Sequence, residues 1–191
     1  ARLWEAPWDD GLGKKALSAW LGARLGEVLS IVFGRGAEHY GMAYSGHGSN
    51  ADGSLFEGMI LKDDAISAME GATQQHHRRF ALLNFGGNCV ESKWNMVEAM
   101  QNFTDYIIAS DLEVVGLRPS EAARQQEYIK LHKELNPLSH MRTLLLASRP
   151  TPLELGKQLL EGQRRLWETF EEDVRQQRLE QTRALLDVRQ F

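Results

Sequence analysis

Residues 80–89 read Phe-Ala-Leu-Leu-Asn-Phe-Gly-Gly-Asn-Cys, a short apolar run that ends in two glycines and delivers Cys89, the only thiol of the chain. A continuous apolar run of this length, stopped by glycine, predicts a strand buried on both faces over 80–85. The same pattern stands about forty residues earlier, where His39-Tyr40-Gly41-Met42-Ala43-Tyr44 runs into Ser45-Gly46-His47-Gly48. Tyr106-Ile107-Ile108-Ala109 makes a third such run. Between the first two, Asp63 to about Gln75 reads as a helix capped by Asp63, with Ile66 and Met69 inward. Glu91 to Phe103 reads as another, with Trp94, Val97 and either Met100 or Ala99 inward. Strands alternating with helices of this length predict an α/β fold with a mostly parallel sheet flanked by helices. Ligand sites of such sheets lie beyond the carboxyl ends of the strands, where both His47 and Cys89 fall.

Outward from this core, Leu17, Trp20, Leu21, Leu25, Val28 and Leu29 recur at spacings of three and four, which predicts an amphipathic helix over about 14–30. Residues 1–13, with Trp4, Trp8 and Pro7, carry no periodicity and form an irregular arm. Ser54 to Leu61 suits a strand or hairpin arm. Beyond Pro119 the pattern turns to helix alone: about 120–135, about 138–147, and one long polar helix from Thr151 to about Val188. The expected organisation is an arm (1–13), an α/β domain (14–118) and an all-helical C-terminal extension (119–191).

With 191 residues and 42% hydrophobic content, the chain is long enough to bury a single sizeable core. A formal net charge of −4 with scattered basic residues gives no footprint for nucleic acid. The reading along the chain finds no apolar run of the roughly 18–20 residues that a membrane-spanning helix needs, so no transmembrane segment is expected. One cysteine excludes an intrachain disulfide and a cysteine-rich zinc site, and no metal or cofactor is expected.

A cysteine nucleophile requires thiolate character, which an adjacent imidazole promotes by taking the proton and staying beside it as a cation. It also requires access, and the glycines flanking His47 and Cys89 allow a substrate backbone to approach. The backbone amides of Gly48 and Cys89 would serve as oxyanion donors if the two loops converge. Weaker constellations compete with this dyad. Asn50, Asp52 and Gly53 resemble part of a calcium loop, but Gly48 and Met59 stand where its first and twelfth ligands belong. His76-His77-Arg78-Arg79 suits a solvated helix end better than a metal site. Asp105, Asp111 and Glu113 suit loop and cap positions better than recognition of a basic substrate. A flavodoxin-like binding module is the least favoured reading, because no phosphate-binding glycine pattern opens a helix.

The order Ser45-Gly46-His47-Gly48, then a core strand ending at Cys89, then Met96-Val97-Glu98-Ala99 and Asp105-Tyr106-Ile107-Ile108-Ala109-Ser110 resembles the clostripain-like cysteine peptidases, within the caspase-like fold group. The resemblance spans about residues 14–115. It implies a caspase-like fold, a protein or peptide substrate, and His47 and Cys89 as the catalytic pair. The family usually carries Asp two residues before its nucleophile, tied to a preference for Arg or Lys; here that position is Gly87. The family's first strand and helix are missing or reduced to residues 1–13, so either a second chain completes the sheet edge or the core is abbreviated. The alternative function is accordingly a catalytically inactive caspase-like subunit with a structural or interaction role in a larger assembly.

Overall fold

The computed structural model describes residues 13–44, 55, 59–85, 94–109, 117–135, 137–177 and 184–188. Their elements, in chain order, are α1 (Lys14–Phe33), β1 (Gly41–Ala43), α2 (Lys62–His76), β2 (Phe80–Asn84), α3 (Trp94–Met100), β3 (Thr104–Ala109), α4 (Ala122–Leu135), α5 (Pro137–Ser148), α6 (Pro152–Thr169), α7 (Glu171–Gln176) and β4 (Ala184–Asp187). The fold is α/β. The four strands form one sheet in the order β1-β2-β3-β4. β1, β2 and β3 are parallel, and β4 runs antiparallel to β3.

Alternation along the strands divides the core into two layers. Leu83, Phe85, Ile107 and Ala109 join Phe33, Met69, Ala72, Val97 and Met100 beneath α1, α2 and α3. Leu82, Tyr106 and Ile108 turn the other way, onto Leu155 and Leu159 of α6. Every residue of β2 is therefore buried, which is why its sequence is a continuous apolar run rather than an alternation. A third cluster joins Leu117, Leu135, Leu166 and Phe170 where α4 meets the end of α6.

Several expectations are corrected. β1 is a three-residue strand at the sheet edge among the described residues, partly exposed rather than buried on both faces. Tyr40 and Tyr44, on either side of it, supply the burial that its composition suggested. Of the expected strand or hairpin arm at 54–61, residues 54 and 56–58 lie outside the described residues, and Leu55 and Ile60 form an antiparallel bridge. Asp63 is not the cap of α2. The helix begins after Leu61, whose N–H donates to the hydroxyl of Ser18 on α1 (2.7 Å), and the Ser18 hydroxyl donates to Asp64. A neighbouring helix thus performs the capping that a local side chain was expected to perform.

The C-terminal extension is not all-helical, and no single helix runs from Thr151 to Val188. α6 starts as the sequence indicates, on a capping box between Thr151 and Glu154 with Pro152 in its first turn. It ends at Thr169 because Phe170, fully buried, turns the chain out of helical geometry at φ −117°. After α7 the chain returns to the sheet, where Leu185 and Leu186 pair with Ile108 and Ile107. The segment after Pro119 therefore completes the core: α6 covers one face of the sheet and β4 closes its edge beyond β3.

α1 also departs from its reading. An 18-residue stretch of this helix has a mean hydropathy of 1.4, so by length and composition it is long and apolar enough to cross a membrane. Arg24 and Glu27 interrupt the run in sequence without outweighing its average. Leu29 and Phe33 enter the core, where Phe33 packs on Tyr40 and Phe80 with ring centroids 4.6 and 5.0 Å apart. Val28, expected inward, is exposed together with Ile31 and Val32. The helix meets α2 through small residues instead: a Cβ added at Gly22 would lie 3.1 Å from the Cβ of Asp64, so glycine sets the approach of the two helices.

Candidate functional site

The carboxyl ends of β1 and β2 lie side by side. Gly41, Met42 and Ala43 pair in parallel with Leu82, Leu83 and Asn84, and the Tyr44 N–H extends the ladder by donating to the Asn84 carbonyl (2.8 Å). The Phe85 N–H donates in turn to the Ile108 carbonyl of β3 (2.9 Å). Tyr44 and Phe85 are buried, and their rings are 6.4 Å apart. Two adjacent strands therefore end at the same rim, each on an aromatic anchor. His47 follows three positions past Tyr44, and Cys89 four past Phe85.

His47, Gly48 and Cys89 lie outside the described residues, as do Asn50, Asp52, Gly53, Asp111 and Glu113. Among the described residues, Asn84 was missed as a feature of this rim. It is the one polar side chain in the Phe80–Phe85 run, is 3% exposed, and ends β2 opposite Ala43 and Ile108. Its signal was its type: asparagine is poorly suited to a buried strand unless its amide is satisfied.

The remaining candidates resolve into structural roles. His77 ends α2 in the left-handed conformation at φ 51°, while His76 stacks over Phe33 at 6.2 Å, so the two imidazoles do not converge. Arg79 reaches across the amino end of the sheet. Its guanidinium pairs with Asp105 (3.0 Å) and donates to the carbonyls of Asn102 (2.5 Å), Gln101 (3.0 Å) and Thr104. Asp105 is thereby held at the amino end of the sheet, where it is occupied by Arg79. No group of three or more metal-ligating side chains occurs among the described residues.

A groove of about 750 Å³ runs between α1 and α2, lined mainly by small residues such as Ala19, Gly22, Ala23, Gly26, Ala68 and Gly71. None of its lining residues belongs to a strand or a strand end. Its carboxylates are already engaged, Asp64 by Ser18 and Glu27 by Arg24 (2.5 Å). The groove has the shape of a packing surface, and both of its carboxylates are held in these pairs.

Comparison with protein-family models, with curated proteins and with solved structures returns no match. The functional reading rests on the sequence motifs and on the strands that carry them.

Proposed function

We propose that this chain is a caspase-like cysteine endopeptidase whose catalytic pair is Cys89 and His47. The observation that carries the reading is the parallel, adjacent pairing of β1 and β2, with Ala43 opposite Asn84 at their carboxyl ends. Neighbouring strands are about 4.8 Å apart. Three or four further residues span at most about 10–14 Å, so both reactive groups are tethered within reach of one another. Antiparallel pairing would have sent the two motifs from opposite ends of the sheet.

In the proposed reaction His47 takes the Cys89 proton, and the thiolate attacks the scissile carbonyl. The backbone amides of Gly48 and Cys89 hold the oxyanion. As the C–N bond breaks, the imidazolium protonates the departing amine and leaves a thioester. Neutral His47 then takes a proton from water, hydroxide attacks the thioester, and the thiolate leaves with its proton restored. No cofactor enters the cycle. With Gly87 two positions before the nucleophile, the carboxylate that position usually supplies to a basic substrate side chain is missing.

The direct test is Cys89→Ala. Hydrolysis of an unstructured protein substrate should fall to background while the thermal unfolding profile stays that of the parent. Hydrolysis that survives in this variant would overturn the assignment.

The second reading, an inactive caspase-like subunit of a larger assembly, has its own support. α1 is apolar on more than one side, and a helix of that kind is normally covered. Here Val28, Ile31 and Val32 are 39%, 53% and 45% exposed. β1 is also a sheet edge among the described residues. The long polar C-terminal helix expected from the sequence lends that reading nothing, since α6 packs on the sheet of its own chain. A stable, monodisperse monomer by light scattering would count against the assembly.

A further inference from the structure

α5 is attached by a narrow seam. None of its described side chains is fully buried, and Leu146 is 77% exposed. Among the described residues its apolar packing is Met141 and Leu144 against the cluster of Leu82, Tyr106, Ile108, Leu155 and Leu159, with His140 set against α6, and the helix also touches α4. The His140 ring occupies a slot on α6 that exists because residue 162 is glycine. A Cβ there would collide with Cε1 of the ring and lie 2.6 Å from Nδ1. Nδ1 is buried and has no hydrogen-bond partner among the described residues. The same seam reaches the sheet edge, since the terminal methyl of Met141 lies 4.0 Å from where a Cβ on Gly41 of β1 would be.

We propose that the His140–Gly162 joint is an acid-sensitive latch, whose protonation releases α5 from α6. A neutral imidazole leaves one unpaired ring nitrogen in the slot, a smaller cost than burying a charge there. An imidazolium places an N–H and a charge there with no acceptor among the described residues to receive them. Burial accordingly holds the His140 pKa below the ordinary imidazole value.

The surrounding charges do not offset this. The end of α4 carries His132, Lys133 and Glu134, α5 itself Arg142, and α6 Glu161, Arg164 and Arg165. Glu161 and Arg164 are paired with each other (2.5 Å), and His132 stacks with Tyr128 (5.4 Å). β1 and β2 contribute no charged residue, and Asp105 of β3 is held by Arg79 (3.0 Å). Burial is the one cause of the depression.

The sign follows from linkage. The released form binds a proton at the ordinary imidazole pKa of about 6.5, and the latched form only at lower pH. The latch is therefore fully favoured above that value and weakens as pH falls below it. This mechanism requires no catalytic activity and stands whether or not Cys89 is a nucleophile.

Hydrogen exchange of the full chain at pH 7.5 and pH 5.0, corrected for intrinsic rates, tests it. Protection of the α5 amides should fall roughly threefold or more at the lower pH, with α2 amides unchanged. His140→Leu removes the titrating group and should abolish the fall. Gly162→Ala, which fills the slot, should give low α5 protection at both pH values. Equal α5 protection at the two pH values in the parent chain, or a fall that persists in His140→Leu, would overturn the latch.

Discussion

The two ends of the sheet are built differently. At the amino end, one guanidinium ties β2 to the start of β3: Arg79 satisfies Asp105 and three backbone carbonyls left open where α3 ends. Polar groups there are spent on one another. At the carboxyl end, the strands stop on buried aromatics, Tyr44 and Phe85, and the sequence beyond them is rich in glycine and carries His47 and Cys89. Under the proposed function this contrast separates anchoring from chemistry.

Three experiments press on this division. The largest effect belongs to the packed middle that both ends share. Leu83 is fully buried in β2, and Leu83→Ala should cost about 2–5 kcal/mol in denaturant unfolding. A cost under about 1 kcal/mol would mean that the face beneath α2 is not the packed scaffold described. Next comes the anchored end. Arg79→Ala leaves several carbonyls and one carboxylate without their donor, and should lower stability by about 1–3 kcal/mol. The alkylation rate of Cys89 in the folded variant should stay at the parental value; a severalfold change would show that the two ends are coupled. The smallest effect lies at the cap of α6. Thr151→Ala breaks the capping box and should cost about 1 kcal/mol, again without changing Cys89.

Much of the scaffold was legible because its signals are local. The apolar runs at 80–85 and 106–109 are strands, and Asp63–Gln75 falls within α2. The Pro-Thr-Pro stretch around Thr151 marks the start of α6 through capping chemistry that involves only neighbouring residues. What was missed is decided by distant partners. Ala184–Asp187 carries an apolar pair that continues a helical pattern on paper, and becomes a strand because β3 offers it an edge. The cap of α2 comes from Ser18, 43 positions before Leu61. Val28 sits on the helical stripe yet stays exposed, because α1 meets α2 through Gly22 rather than along its largest side chains. For the candidate site, the sequence supplied both motifs, and the pairing of their strands was the part that required coordinates.

The most direct measurement is the rate of iodoacetamide alkylation between pH 5 and 9, read by intact mass in the parent chain and in His47→Ala. Because the chain has a single thiol, every adduct reports Cys89. An activated pair should alkylate rapidly well below the ordinary thiol pKa of about 8.5, and the loss of His47 should slow that reaction and move its pH profile upward. Slow alkylation that rises only near the ordinary thiol pKa and ignores His47 would contradict the dyad.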